Sequence, residues 1–164
     1  MTALIFGGGG QDGYYLARLL EQSMDVVAPT HAICDVSDFS DVEATVRLLR
    51  PTYLYHLASS PSTQHDALFG NHSAIATGTL NVLEAVRRHA PECRVFIAGS
   101  ALQFENSGEP IGEATPFAPT CAYAADRIAA VYTARYFRSL GLSVTVGYLF
   151  HHESPRRTAK YFSR

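Results

Sequence analysis

The stretch Phe6-Gly7-Gly8-Gly9-Gly10-Gln11-Asp12-Gly13 decides the fold. Ahead of it stands the apolar run Ala3-Leu4-Ile5-Phe6, and behind it Tyr14-Tyr15-Leu16 begins a stretch with helical spacing. Glycines placed after a strand and before a helix form a phosphate-binding turn. Gly7, Gly10 and Gly13 fall at GxxGxxG spacing. The backbone turns tightly at the first, lets a pyrophosphate approach at the second, and packs helix on strand at the third. The helix N-terminus then faces the anion. Without its flanks the cluster would read equally as a flexible loop. With them, Gly7, Gly10, Gln11, Asp12 and Gly13 are candidate contacts to a dinucleotide.

Outward from the turn, short apolar runs alternate with longer amphipathic stretches, the signature of parallel βα units. Strands are expected over 3–6, 26–29, 53–57, 94–98 and 143–150, mostly continuous in hydrophobicity, as in strands covered on both faces. Helices are expected over 14–22, 41–49, 75–88 and 123–140. Asp41 is placed to cap the second helix, Pro51 to stop it, and Gly141 to provide the exit of the last. No linker or repeat interrupts the pattern, so residues 1–164 read as one Rossmann-type domain, a doubly wound parallel sheet in a three-layer α/β/α arrangement.

Bulk properties narrow the partners. A chain of 164 residues, 47% hydrophobic and 17% charged, can bury a real core. Its net charge of −2 and pI of 6.4 supply no basic surface for a nucleic-acid backbone. Cys34, Cys93 and Cys121 are far apart and form no CxxC, so neither a disulfide framework nor a metal site is expected. No apolar run is long enough to span a bilayer. No basic and apolar leader precedes Ala3, and the expected location is the cytoplasm.

Further segments carry a resemblance. Gly7 to Leu16 (GGGGQDGYYL), the Asp-containing loop Cys34-Asp35-Val36-Ser37-Asp38, the strand end Tyr55-His56-Leu57-Ala58, Gly78-Thr79-Leu80-Asn81-Val82-Leu83-Glu84-Ala85 and Glu113-Ala114-Thr115-Pro116-Phe117-Ala118-Pro119 recur in order. Most distinctive is Phe150-His151-His152-Glu153-Ser154-Pro155-Arg156-Arg157. Together they resemble the extended short-chain dehydrogenase/reductase (NAD-dependent epimerase/dehydratase) family, nearest to its GDP-mannose 4,6-dehydratase branch. The resemblance implies cofactor contacts at Gln11, Asp12, Thr30, Asp35, Val36, Leu57, Ala58, Ser59 and Leu149, besides the glycines. It also implies a nucleotide-sugar substrate, GDP-sugars favoured. Related enzymes pair through the tyrosine-bearing helix, so a homodimer is expected. The family adds a C-terminal substrate region, and this chain stops about where that region begins; the region, and two sheet strands, are expected to be absent.

The family's reaction uses a Ser or Thr, a Tyr and a Lys. The resemblance assigns those roles to Ser100, at the end of the fourth strand, to Tyr123, opening the last helix, and to Arg127, one helical turn on, where the family has Lys. A phenol titrates near ~10 and serves as acid or base at neutral pH only beside positive charge. Arg127 keeps the charge, although a planar guanidinium is not equivalent to an ammonium. The dehydratases follow their Thr with Ser-Glu, the Glu being the base for eliminating water; this chain reads Ser100-Ala101-Leu102. Leu102 accepts no proton, so hydride transfer at a sugar hydroxyl or ketone, as in a reductase or epimerase, fits better than dehydration. His151 replaces a substrate-side Asn of the family. The alternative is a catalytically impaired dinucleotide-binding module, or a subunit needing a partner chain. An acid about 20 residues after the turn would hold a ribose 2′-hydroxyl and an Arg a 2′-phosphate; the second strand instead ends Ala28-Pro29-Thr30-His31. Thr30 and His31 could meet a phosphate or be ordinary loop residues, and NADP(H) is favoured over NAD(H). His56, His72 and His89 read as structural or exposed, and Arg156-Arg157 as an interface or phosphate contact.

Overall fold

The computed structural model describes residues 1–60 and 62–156. Its strands are β1 (Thr2–Phe6), β2 (Asp25–Val27), β3 (Tyr53–His56), β4 (Arg94–Ser100) and β5 (Val144–Leu149). Its helices are α1 (Gln11–Leu20), α2 (Phe39–Leu49), α3 (Leu68–Asn71), α4 (Gly78–His89) and α5 (Ala122–Ser139). All strands run parallel in the order β2-β1-β3-β4-β5. The chain starts inside the sheet and winds first one way and then the other. The direction reverses between β1 and β3, where Phe6 pairs with His56, and ligands of such sheets bind at that switch point beyond the strand ends.

Crossovers between parallel strands are right-handed, so reversing direction changes the face that a connecting helix covers. α1 therefore lies on one face, while α2, α4 and α5 share the other. The main core forms under the second group: Leu4, Phe6, Leu54, Val95 and Ile97 from the strands meet Val42 and Val46 of α2, Val82, Leu83 and Val86 of α4, and Ala130 and Phe137 of α5. Each large aliphatic side chain buried in this way contributes about 1.5–3 kcal/mol. The expected three layers are thus unequal, because among the described residues α1 is the only helix of the second outer layer. Tyr55 and Phe96, neighbours at 6.1 Å between ring centroids, are only half-buried there, and the outer edge of β5 has no strand beside it among the described residues. No helix among the described residues is long and apolar enough to cross a membrane.

Several expected boundaries shift, each for a local reason. α1 begins at Gln11 rather than Tyr14, so Gly13 lies in its first turn. α2 is capped by Asp38, whose carboxylate accepts the Ser40 and Asp41 N–H groups at 2.7 and 3.3 Å, so the expected cap at Asp41 is corrected. Asp41 instead accepts the Asp35 N–H at 3.1 Å. The third helix starts at Leu68, not Ile75, because a π-turn over His72–Thr77 joins α3 to α4. Periodicity-based reading breaks at such an insertion, since one extra residue rotates the apolar stripe. α5 ends as expected: Gly141, at φ +96°, donates to the Arg138 carbonyl and Leu142 to that of Phe137, a Schellman exit. Cys34, Cys93 and Cys121 are free, and burial pushes the Cys93 thiol up to about 12.

Candidate active site

A cleft of about 1360 Å³ runs across the carboxyl ends of β1, β3, β4 and β5. Every residue singled out for it from the sequence lines it: Gly7, Gly10, Gln11, Asp12, Gly13, Thr30, Asp35, Val36, Leu57, Ala58, Ser59, Ser100, Tyr123, Arg127 and Leu149. The topology brings them together because each ends or follows a strand, or lies on a helix whose N-terminus opens there.

The glycine turn is built by close approach. Gly7 adopts φ +90°, and a Cβ on it would lie 2.7 Å from the Ala58 nitrogen. A Cβ on Gly13 would lie 2.3 Å from the Gly7 carbonyl oxygen, which fixes α1 against the strand end. Gly8, absent from the spacing rule, is equally constrained, since its Cβ would meet that of Ala28 at 2.6 Å. Gly9 has open space, and Gly10 donates its N–H to Gly7 at 3.0 Å. No side chain caps α1, so its first-turn N–H groups are left for an anion. A glycine-floored cradle under an uncapped helix end fits a pyrophosphate.

Beyond the turn, Asp35 Oδ1 accepts both the N–H and the hydroxyl of Ser37 at 2.8 Å, and His31 Nδ1 lies 3.6 Å away. Burial pushes the Asp35 carboxyl up, but the Ser37 hydrogen bonds outweigh it and hold the group below its ordinary value. Asp35 Oδ1, so occupied, is a poor acceptor for a ribose hydroxyl. Val36 gives its carbonyl to Asn81 Nδ2 at 2.9 Å, which joins this loop to α4.

At the other end, β4 delivers Ser100, whose Oγ accepts the Leu102 N–H at 3.2 Å. The Ser100 N–H donates at 2.6 Å to Oε1 of Gln103, a fully buried residue of the short turn Ala101–Gln103. Tyr123 and Arg127 share one face of α5: Arg127 Nε donates to Tyr123 Oη at 3.1 Å and Nη1 to the Ala98 carbonyl at 2.6 Å. The guanidinium is buried and, among the described residues, has no carboxylate in ion-pair range. Beneath it His56 is fully buried. Burial, and next the Arg127 charge, lower its pKa to about 3; the Ala74 and Ile75 backbone pulls the other way without offsetting them. Leu102 is exposed at the cleft rim and offers no base there.

The sequence reading missed the parts played by Gly8, Gln103 and His152. His152 Nε2 lies 2.6 Å from Asp12 Oδ1 and its Nδ1 2.6 Å from the Phe150 carbonyl. The Arg156 guanidinium, expected at an interface or a phosphate, sits 3.9 Å over the Tyr14 ring. Residues 150–156 therefore close across the start of α1, a contact between distant parts of the chain that spacing does not reveal. Arg157 lies outside the described residues. His72 pairs with Asp126 at 2.8 Å and His89 with Glu43 at 3.1 Å. Among the described residues no cluster of three metal-ligating side chains occurs.

The profile of the NAD dependent epimerase/dehydratase family matches residues 3–164. GDP-mannose 4,6 dehydratase 1 of Arabidopsis thaliana is 32% identical over 197 aligned positions, covering 99% of this chain and 55% of that protein. GDP-mannose 4,6-dehydratase of Yersinia enterocolitica is 32% identical over 196 positions, covering 99% and 52%. The chain thus spans about half the length of these relatives. The UDP-glucose 4-epimerase of Thermus thermophilus, solved in complex with NAD, superposes with a TM-score of 0.75 at 26% identity, over 89% of this chain and 54% of that one. The dTDP-4-dehydrorhamnose reductase of Bacillus anthracis, solved with NADP, shares the fold at a TM-score of 0.81 and 19% identity, over 91% and 53%.

Proposed function

The chain belongs to the NAD dependent epimerase/dehydratase family, and from that premise we propose that it binds NADP(H) and transfers hydride at a hydroxyl or ketone of a nucleotide-sugar, GDP-sugars favoured. One observation carries this reading: Ser100 and the hydrogen-bonded pair Tyr123–Arg127 line the same cleft as the glycine turn, while Leu102 stands at its rim where elimination would need a base. Gly7, Gly10, Gly13 and the N–H groups opening α1 would hold the pyrophosphate, and Asp35 and Val36 would flank the adenosine. Once bound, the nicotinamide supplies or accepts the hydride.

In the reducing direction Ser100 Oγ–H donates to the ketone oxygen, the carbonyl carbon gains hydride, and Tyr123 Oη gives that oxygen its proton. The negative charge left on Oη lies against the Arg127 Nε–H, so the cation acts on the phenol directly. NADP(H) is favoured because no acid follows β2 in 28–31, Asp35 Oδ1 is taken by Ser37, and His31 stands at the cleft. His31→Ala is expected to weaken NADP(H) more than NAD(H) in a titration of cofactor fluorescence. We place a homodimer contact on α4 and α5, where Leu80, Tyr132 and Tyr136 are exposed.

The test is oxidation of the reduced cofactor with GDP- and dTDP-4-keto-sugars. Tyr123→Phe should lower kcat by at least ~100-fold while cofactor affinity holds, and a wild-type chain that turns over none of these ketones overturns the reading. A second reading, a subunit completed by another polypeptide, is favoured by the sheet face that α1 leaves half-exposed, among the described residues, at Tyr55 and Phe96. Full activity in a chain that sediments alone would exclude it.

A further inference from the structure

Gln103 is a polar residue with no exposure, set next to the cleft-rim residue Leu102 in a place that packing alone would give to an aliphatic side chain. Its Oε1 accepts the Ser100 N–H at 2.6 Å, and its own carbonyl accepts the Ala118 N–H at 2.9 Å. Its Nε2 is buried and, among the described residues, has no partner. The amide orientation is fixed by chemistry: turned over, two N–H donors would face each other. Ser100 and Gln103 close a reciprocal capping box over the turn, which accounts for Oε1; the unpartnered Nε2 still makes this side chain costlier than an apolar one of the same shape.

We infer that Gln103 is a positioning residue that orients the Ser100 hydroxyl for donation to the substrate oxygen. By taking the Ser100 N–H, it holds that residue at φ −147° and ψ 147°, the conformation in which Oγ accepts the Leu102 N–H. With a donor already lodged on Oγ, the hydroxyl's own hydrogen is left to point away from the Leu102 amide, and Ser100 lines the cleft. The Ala118 bond ties the backbone of the same residue to the segment leading into α5 and Tyr123. Gly99 makes room: a Cβ there would lie 2.9 Å from Gln103 Oε1 and 2.7 Å from the Tyr148 ring. A glycine at that strand end is the geometric condition for the contact.

This inference rests on the reading that Ser100 meets the substrate, and the experiment separates the two. Gln103→Leu removes the acceptor and the unsatisfied donor together, while Gln103→Glu keeps an acceptor. Expected for Gln103→Leu are kcat lower by about tenfold with KM within about threefold, a Tm within a few degrees of wild type because the Nε2 orphan lost offsets the Ser100 N–H left without its acceptor, and at least ~10-fold faster amide exchange at Ser100. Gln103→Glu should restore slow exchange and most of kcat. In a Ser100→Ala background, Gln103→Leu should have no further effect on kcat. A Tm and a kcat that fall together in Gln103→Leu, with no rescue by Glu, would make the role structural and overturn the inference. So would an unchanged kcat, or a Ser100 amide no faster to exchange. If Ser100→Ala itself leaves turnover intact, or the wild type has none, the functional reading fails, and amide exchange still decides whether Gln103 holds Ser100.

Discussion

Mild acid should destabilise this fold through one residue, His56. Its imidazole is fully buried and neutral, with a pKa lowered from 6.5 to about 3 by burial and by the Arg127 charge. The unfolded chain exposes the same ring to water, where it takes up a proton near pH 6.5, so below that pH the unfolded state binds the extra proton. Stability then rises with pH by about 1.4 kcal/mol per unit between the two pKa values. It is intact above pH 6.5 and lost as pH falls toward about 3. Between about pH 7.5 and about pH 5 the loss is about 2 kcal/mol, or about 4–8 °C in Tm for a domain of this size. Two carboxylates are held out of that window: the hydrogen bond from Arg87 foremost holds Glu84 at about 2, and the Ser37 hydrogen bonds hold Asp35 below its ordinary value. The assay is urea unfolding at both pH values for the wild type and for His56→Leu, which lacks the titrating ring. The wild type should lose about 2 kcal/mol more than the variant on acidification. Equal losses in the two proteins would refute the assignment of acid sensitivity to His56.

Two further outcomes follow from local geometry. Gly13→Ala would drive a Cβ to 2.3 Å from the Gly7 carbonyl oxygen, so cofactor affinity in equilibrium titration should fall at least ~10-fold, with Tm down by several degrees. Asp38→Ala removes the α2 cap and should cost about 1 kcal/mol in chemical denaturation, whereas Asp41→Ala should cost less, because its carboxylate holds the Asp35 N–H rather than the helix end.

The division between what was legible and what was not follows from the range of the interactions. Each strand and helix is set by neighbours within a few residues: apolar runs of strand length, the glycine turn after β1, Gly141 beyond α5. These are local, so residue order alone pointed to the parallel α/β fold and the phosphate turn, while the Ser100, Tyr123 and Arg127 set came from the family resemblance. Asp38 was missed as a cap because Asp38 and Asp41 both precede an apolar stripe, and only the path of the backbone selects one. The π-turn before α4 was missed because an inserted residue destroys the periodicity that announces a helix.

What only the tertiary structure decided are contacts across distance. Gln103 reads in sequence as an ordinary polar residue of a loop, and its meaning comes from lying buried against the Ser100 amide. His152 and Asp12 are far apart in the chain yet 2.6 Å apart in space. The right-handed crossovers, applied to a strand order no local pattern encodes, leave α1 alone on one face among the described residues. The sequence by itself determined which groups could do chemistry, since residue type and spacing are covalent facts. The fold determined which of them meet, since burial and hydrogen bonding depend on where the chain returns.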